Sequence, residues 1–154
     1  VNIALIYKDT PVLGVVYAPA LDVCYWAKQY EGAFKDGQKL PLKIESQRKT
    51  YKIVASRSHM SNETQAFIDA IYTSKEKELI SIGSSLKICL VAEGEADIYP
   101  RLGPTMEWDT GAAHAIVIDA GKQLQKYENG QFSQHIYNKE STFNKSFIVQ
   151  AKYQ

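Results

Sequence analysis

Strand-like and helix-like segments alternate from about residue 51 onward, and this alternation restricts the chain to the mixed α/β folds. Each predicted helix begins at a polar residue that can cap its free N–H groups, and the last two end at a glycine, which leaves a helix without strain. The predicted helices run from Ser61 or Asn62 to about Tyr72, from Ser84 to about Glu93 and from Asp109 to about Ala120. The sequence therefore predicts a C-terminal α/β subdomain over residues 51–154.

Turn signals divide the first fifty residues into short apolar runs, which is typical of a β-meander. Asp36-Gly37 lies between two such runs and indicates a hairpin turn. We predict a β-meander over residues 1–50, the remnant of an N-terminal subdomain, with a polar boundary at Glu45–Thr50. The first run, Val1–Tyr7, is predicted to be a buried strand. Because chain ends usually lie at the surface, a buried strand at the first residue leads us to expect the C-terminal piece of a longer protein, with a trimmed or processed N-terminus as the alternative.

The charge balance and the apolar pattern exclude several classes of function. The chain carries 18 basic and 17 acidic side chains, so a broad basic surface for nucleic acid is not expected. No apolar run is long enough to form a transmembrane helix. Cys24 and Cys89 lie in apolar segments without the spacing of zinc ligands, which favours buried, reduced thiols in a cytoplasmic protein over a disulfide.

Asp109 is the first candidate for chemistry, because it follows a Gly- and Pro-containing loop at the predicted start of the third helix. A carboxylate held there could be a ligand for a hard cation, or simply the cap of the helix. Small residues at positions 111–113 and 115 would let this helix pack closely on a sheet. His114 lies about one and a half turns further on, and is predicted to be a packing residue rather than a ligand.

Three further places could hold an anion. Ser84 follows Gly83 at a strand-to-helix turn, where backbone N–H groups and a hydroxyl are free, and Lys87 lies one turn further on. His59 lies in a polar stretch between a predicted strand and a predicted helix. Arg101 ends a short strand and has a side chain suited to bidentate phosphate binding. An ordinary capped helix, a polar loop and an exposed arginine are the alternatives.

In their order and amino-acid sequence, these segments resemble the inositol monophosphatase-like superfamily of metal-dependent phosphatases. Trp108-Asp109-x-x-Ala112, with Ala120-Gly121 after the helix, is similar to its C-terminal signature, W-D-x-x-A followed by A-G-G. Lys122 stands where the second glycine is expected, which affects packing more than chemistry. More narrowly, the sequence resembles the bisphosphate nucleotidases of the CysQ type. The matching stretches are Val54–His59, Gly83–Lys87, Val91–Arg101, Gly103–Thr110 and Asn138–Glu140.

The resemblance implies the C-terminal portion of the inositol monophosphatase-like sugar-phosphatase fold and a phosphatase that depends on Mg²⁺. Its substrate would be a small nucleotide bisphosphate, 3'-phosphoadenosine 5'-phosphate, which would lose its 3'-phosphate to give AMP. By motif, Asp109 would be the catalytic metal ligand at the reacting phosphate, while Ser84, Lys87, Arg101 and His59 would bind the nucleotide. The alternatives are an inositol monophosphate or sugar-phosphate phosphatase, and a non-catalytic nucleotide-binding or dimerisation module.

The superfamily carries most of its metal ligands in a D-P-x-D-G-T segment and in acidic residues before it, and this segment does not occur in the sequence. Asp109 alone does not make a two-metal site, so the chain by itself is predicted to be inactive or nearly so. A meander without its upstream partners exposes sheet edges, which predicts a homodimer in concentrated solution. The expected location is the cytoplasm, with peripheral association at the inner membrane as a further expectation.

Overall fold

A computed structural model describes residues 1–44, 47–55 and 60–152, and within these ranges it contains two large β-sheets and three α-helices. The first sheet is an antiparallel meander in which each strand pairs with the next one along the chain. Its strands are β1 (Asn2–Tyr7), β2 (Thr10–Ala18), β3 (Val23–Lys28), β4 (Gly32–Lys35) and β5 (Gln38–Lys39). Asp36 and Gly37 both have positive φ between β4 and β5, which confirms the predicted hairpin turn.

The second sheet has mixed topology. It contains β6 (Thr50–Val54), β7 (Glu76–Ile80), β8 (Ile98–Arg101), β10 (Lys122–Glu128), β11 (Gln131–Gln134) and β13 (Phe147–Ala151), while β9 (Thr105–Met106) and β12 (Phe143–Asn144) form a separate pair. The order across the sheet is β11-β10-β13-β8-β6-β7, with β6 parallel to β7 and β8 and the other pairs antiparallel. The helices are α1 (Asn62–Ala70), α2 (Leu86–Ala92) and α3 (Glu107–Asp119). This alternation confirms the predicted α/β fold class with its α+β layering.

Helix α3 connects the cores of the two sheets. It packs against β1 to β4 of the meander and also against α2 and β10. A Cβ atom placed on Gly14 of β2 would lie only 2.1 Å from the carbonyl oxygen of Ala112 in α3. The predicted close packing of this helix on a sheet is therefore confirmed, and it needs a residue without a side chain on the strand.

Strand β13 shows how the second sheet is covered on both faces. Phe147 and Val149 belong to the core shared with α2 and α3, whereas Ile148 belongs to a second cluster with Ile68 of α1. Successive strand residues point to opposite faces, so one buried strand serves both clusters. None of the helices in the described ranges is long and apolar enough to cross a membrane. The predicted boundary at Glu45–Thr50 includes residues 45 and 46, which lie outside the described part of the chain.

The first strand differs from its prediction. The prediction of a buried strand is wrong, because one face of β1 is open to solvent and carries apolar side chains that are 58–67% exposed. These side chains are Val1, Ile3, Leu5 and Tyr7. On the other face, Ala4 and Ile6 lie beside Gly111 of α3. The apolar run correctly predicts a strand, but its composition does not reveal which face another layer covers.

Both cysteines are free thiols, as the sequence predicts. The predicted burial is confirmed for Cys89, whereas Cys24 is only half-buried. Burial, followed by the negative charge of Glu93, raises the pKa of the Cys89 thiol, so this side chain stays protonated and packs as a small apolar group.

Candidate functional site

Four of the five residues singled out from the sequence line one cavity of about 240 Å³. Ser84 precedes α2, Lys87 lies in the first turn of α2, Arg101 ends β8 and Asp109 lies in the first turn of α3. The fold thus brings the end of one buried strand beside the starts of two helices. His59, the fifth candidate, lies outside the described residues.

Asp109 is the third residue of α3 and not its cap. The helix begins at Glu107 and is capped by Met106, so the predicted start at Asp109 is wrong by two residues. The Oδ2 atom of Asp109 accepts a hydrogen bond from the backbone N–H of Met106 at 2.8 Å. This bond satisfies a donor that the helix end leaves free. The Asp109 side chain is nevertheless exposed and lines the cavity, so one carboxylate stabilises the helix start and offers oxygen to a ligand.

Ser84 also differs from its predicted place in the structure. Helix α2 begins at Leu86, so the prediction that Ser84 opens it is wrong. Ser84 has a φ of 59° and lies in the turn before the helix. Its neighbour Ser85 donates a hydrogen bond from Oγ to Oδ1 of Asn2 at 2.7 Å. Ser85 therefore ties the start of α2 to the first strand, while Ser84 stays exposed at the cavity.

Lys87 and Arg101 are the cations of this cavity, and neither forms an ion pair with a carboxylate of the described residues. The Lys87 Nζ atom lies 5.8 Å from the centroid of the Tyr99 ring. Arg101 donates from Nη2 to the carbonyl oxygen of Pro104 at 3.2 Å, and its buried Nε finds no acceptor in the described ranges. Burial, followed by the charge of Arg101, lowers the pKa of Lys87. Two half-buried cations without a counter-ion favour binding of an anion.

Sequence reasoning missed part of the cavity wall. The further lining residues are Asn2, Ser85, Ile88, Tyr99, Thr105, Thr110 and Phe147. Asn2 carries a usable signal, since it is a polar residue inside an otherwise apolar first strand. Tyr99 and Phe147 carry none, because aromatic residues in strands usually belong to the core. Their rings meet edge to face, with centroids 5.9 Å apart, and form the apolar side of the wall.

Among the described residues, a divalent cation would find one carboxylate in this cavity, that of Asp109. Across the described ranges, no group of three or more His, Cys, Asp or Glu side chains is arranged to hold a metal ion. Mg²⁺ takes oxygen ligands and is usually held by one or two carboxylates together with phosphate oxygens and water. Asp109 therefore fits as one ligand of a Mg²⁺ ion shared with a phosphate, but it does not form a metal site alone.

His114 is a buried packing residue, as predicted. The Tyr137 hydroxyl donates to Oγ1 of Thr110 at 3.2 Å, so its 3.0 Å contact with Nδ1 of His114 requires this nitrogen to be the donor. Burial, followed by the charge of His135, lowers the pKa of His114 to about 3. Burial, followed by the charge of Lys139, lowers the pKa of His135 to about 4. Both imidazoles are therefore neutral at physiological pH, and neither lines the cavity.

Comparison with known proteins agrees with this architecture. The inositol monophosphatase family matches residues 1–152. The 3'(2'),5'-bisphosphate nucleotidase CysQ of Buchnera aphidicola is 42% identical over 154 residues, which cover 98% of this chain and 56% of that protein. The nucleotidase CysQ of Salmonella typhimurium is 45% identical over 130 residues, which cover 83% of this chain and 51% of that protein. The chain thus spans about half the length of the curated relatives it matches.

Solved structures agree as well. The crystal structure of CysQ from Bacteroides thetaiotaomicron, a bacterial member of the inositol monophosphatase family, superposes with a TM-score of 0.89 at 41% identity, covering 99% of this chain and 62% of that one. Staphylococcal IMPase-II superposes with a TM-score of 0.74 at 23% identity, which indicates a shared fold. The fold implied by the sequence resemblance is thereby confirmed. Since the family matches nearly every residue and its named members share about two-fifths of their aligned residues with this sequence, the chain belongs to the inositol monophosphatase family.

Proposed function

We propose that this chain belongs to a magnesium-dependent phosphatase that removes the 3'-phosphate of 3'-phosphoadenosine 5'-phosphate, giving AMP and phosphate. The observation that carries the proposal is the pair of half-buried cations, Lys87 and Arg101, in the same cavity as the exposed carboxylate of Asp109. A substrate with two phosphates needs cationic partners in addition to the metal site. The relatives named as 3'(2'),5'-bisphosphate nucleotidases support the same substrate class.

In this proposal, Lys87 and Arg101 bind phosphate oxygens, and the unpartnered Nε of Arg101 gains an acceptor. The exposed Ser84 hydroxyl donates to the same ligand, and His59 is included on the sequence resemblance alone. Asp109 would hold Mg²⁺, which supplies a bound water of lowered pKa and neutralises charge on the phosphoryl oxygens. Metal ligands beyond Asp109 are required for turnover, because the described residues place only one carboxylate in the cavity.

Replacing Lys87 by methionine tests the nucleotide site. Lys87→Met keeps the aliphatic stem but removes the charge, so affinity for adenosine 3',5'-bisphosphate is expected to fall roughly 10- to 100-fold, the usual loss for a charge-assisted hydrogen bond. Isothermal titration calorimetry on the 154-residue chain, without metal, measures this change. Lys28→Met is the matched control, because Lys28 is exposed, pairs with Glu31 and does not line the cavity.

Titrations with inositol monophosphate separate the proposal from its alternative within the fold. The nucleotidase is supported if Lys87→Met weakens binding of the nucleotide while inositol monophosphate binds weakly to both the unmodified chain and the variant. Tighter binding of inositol phosphate than of the nucleotide by the unmodified chain would instead favour an inositol or sugar-phosphate phosphatase.

A second candidate function is nucleotide binding without catalysis, and the single carboxylate in the cavity favours it. Such a module needs the two cations but no metal. The same calorimetric titration, repeated with Mg²⁺, discriminates the two functions. Affinity that rises with Mg²⁺ supports the phosphatase, whereas affinity independent of Mg²⁺ supports the non-catalytic module.

The exposed face of β1 is proposed as a contact between two copies of the chain. Leu5 is 58% exposed on the terminal strand of the meander, where backbone groups are free to pair. Multi-angle light scattering of a concentrated sample is expected to show a homodimer that Leu5→Ser weakens. Leu79→Ser is the control, because Leu79 is 54% exposed on β7 of the other sheet. A monomer at all concentrations would contradict the proposed homodimer.

A further inference from the structure

A network of partly buried polar contacts lies behind the start of α3, with Lys139 at its centre. The Lys139 Nζ atom donates to Oε1 of Glu107 at 2.5 Å, to Oδ1 of Asn144 at 3.1 Å and to the carbonyl oxygen of Ile136 at 3.0 Å. An ammonium group has three N–H donors, so each donor has an acceptor. Because all three donors are engaged, Lys139 holds its three acceptors in one arrangement.

Glu107 receives more than this ammonium group. Its carboxylate also accepts hydrogen bonds from the backbone N–H groups of Asn138 at 3.0 Å and Lys139 at 3.2 Å. With the bond from the Lys139 ammonium, these hydrogen bonds fix the first residue of α3 to the segment that carries Lys139.

Asn144 links Lys139 to the two threonines that flank Asp109. It is buried, and its Nδ2 donates to Oγ1 of Thr110 at 3.1 Å and to Oγ1 of Thr105 at 3.3 Å. Because Oδ1 accepts from Lys139, the amide has only one orientation that satisfies both ends. Thr105, before the helix, and Thr110, after Asp109, are thus held by one side chain.

Asp109 itself has little to orient it. Its side chain is exposed, and its hydrogen bond to Met106 lies within the same turn. The position of this carboxylate in the cavity therefore depends on how residues 105–110 are held. Backbone pairing of β9 with β12 and the Tyr137 hydroxyl hold parts of this turn. Lys139 adds the side-chain contacts that join its two ends, through Glu107 on one side and Asn144 on the other.

We propose that Lys139 is a positioning residue for the metal ligand Asp109: it holds the turn at residues 105–110 through Glu107 and Asn144, so that the carboxylate meets a Mg²⁺ ion shared with the substrate phosphate. This inference rests on the proposed function. It goes beyond that function because Lys139 does not line the cavity and acts only through the residues around Asp109. Groups that orient a metal ligand typically change metal affinity 10- to 100-fold when removed.

Two measurements on the ¹⁵N-labelled 154-residue chain test the proposal. The first is hydrogen exchange at the backbone amides of Met106 and Glu107, which donate to Asp109 and Thr142. The second is the apparent Mg²⁺ affinity in the presence of saturating adenosine 3',5'-bisphosphate, followed by amide chemical shifts. Lys139→Met is expected to lose exchange protection at both amides and to weaken Mg²⁺ binding roughly tenfold. Affinity for the nucleotide without metal is expected to stay unchanged.

Three variants control for a merely structural role. Lys145→Met removes a neighbouring exposed lysine that pairs with Glu128, and it is expected to change neither measurement. Lys139→Arg keeps a cationic donor and should recover part of the Mg²⁺ affinity. Glu107→Gln keeps an acceptor for the backbone donors but removes the charge, so it provides an intermediate loss should Lys139→Met fail to fold.

The outcomes separate this inference from the proposed function. Unchanged amide protection in Lys139→Met overturns the positioning role, and so does lost protection with unchanged Mg²⁺ affinity. If the unmodified chain binds the nucleotide but its affinity for Mg²⁺ is no higher than without nucleotide, the proposed metal role of Asp109 is wrong and the positioning role fails with it. Failure to bind the nucleotide at all overturns the proposed function itself.

Discussion

Adenosine 3',5'-bisphosphate incubated with the pure 154-residue chain and Mg²⁺ is expected to release no phosphate above the uncatalysed rate. The reason is the ligand set: among the described residues, Asp109 is the one carboxylate of the cavity, and no cluster of metal-ligating side chains surrounds it. A correctly held metal ion supplies several kcal/mol of transition-state stabilisation, so turnover should be at least about a thousandfold below that of a complete enzyme. A colorimetric phosphate assay measures the difference.

The nucleotidase CysQ of Salmonella typhimurium, 45% identical over the aligned residues, is the positive control for this assay. Turnover by the 154-residue chain at a comparable rate would contradict the prediction. In that case, loss of the activity in Lys87→Met would show that the cavity described above performs the reaction. Retention in this variant would instead point to a contaminating phosphatase.

The second large effect concerns stability against acid. His114 and His135 have pKa values of about 3 and about 4 in the folded chain, well below the ordinary value of 6.5 that they regain on unfolding. As the pH falls below 6.5, the unfolded chain therefore binds protons that the folded chain does not, and folding becomes less favourable. Each imidazole is expected to cost about 1.4 kcal/mol at pH 5.5, or about 3 kcal/mol for the pair.

Urea unfolding followed by tryptophan fluorescence at pH 7.5 and pH 5.5 measures this loss of stability. The window avoids Glu95 and Glu107, whose pKa values are lowered from 4.5 and which titrate at more acidic pH. His135→Gln removes one of the two groups and is expected to halve the difference between the two pH values. Equal stability of the unmodified chain at pH 7.5 and pH 5.5 would mean that the imidazoles are accessible to protons in the folded state.

The local features of the fold are readable in the sequence because they depend on neighbouring residues. The predicted helix stops at Gly94 and Gly121 are confirmed, since both glycines have positive φ, at 82° and 78°. The starts of α2 and α3 are less readable. Several polar residues compete there for the same free N–H groups, and Asp109 satisfies one from inside the helix rather than from its cap.

The candidate site could be predicted only in part from the sequence. The types of residue at Lys87, Arg101 and Asp109, with the motifs around them, predict an anion and a hard cation as ligands. Asn144 and Lys139 show the limit of this reasoning. Their part in holding the start of α3 depends on hydrogen bonds to residues between 5 and 39 positions away, and no local pattern marks such contacts.

By itself, the sequence therefore determined the family, the alternation of strands and helices and the chemical character of the site, because short-range periodicity, turn chemistry and motif residues encode them. The tertiary structure alone decided that β1 exposes Leu5 and its neighbours, and that four segments far apart in the chain meet around one cavity. The burial of a side chain and the meeting of distant residues both depend on how the sheets and helices pack. A strand's apolar pattern is the same whether or not another layer covers it, and side chains far apart in the chain meet only once the sheets and helices have been assembled.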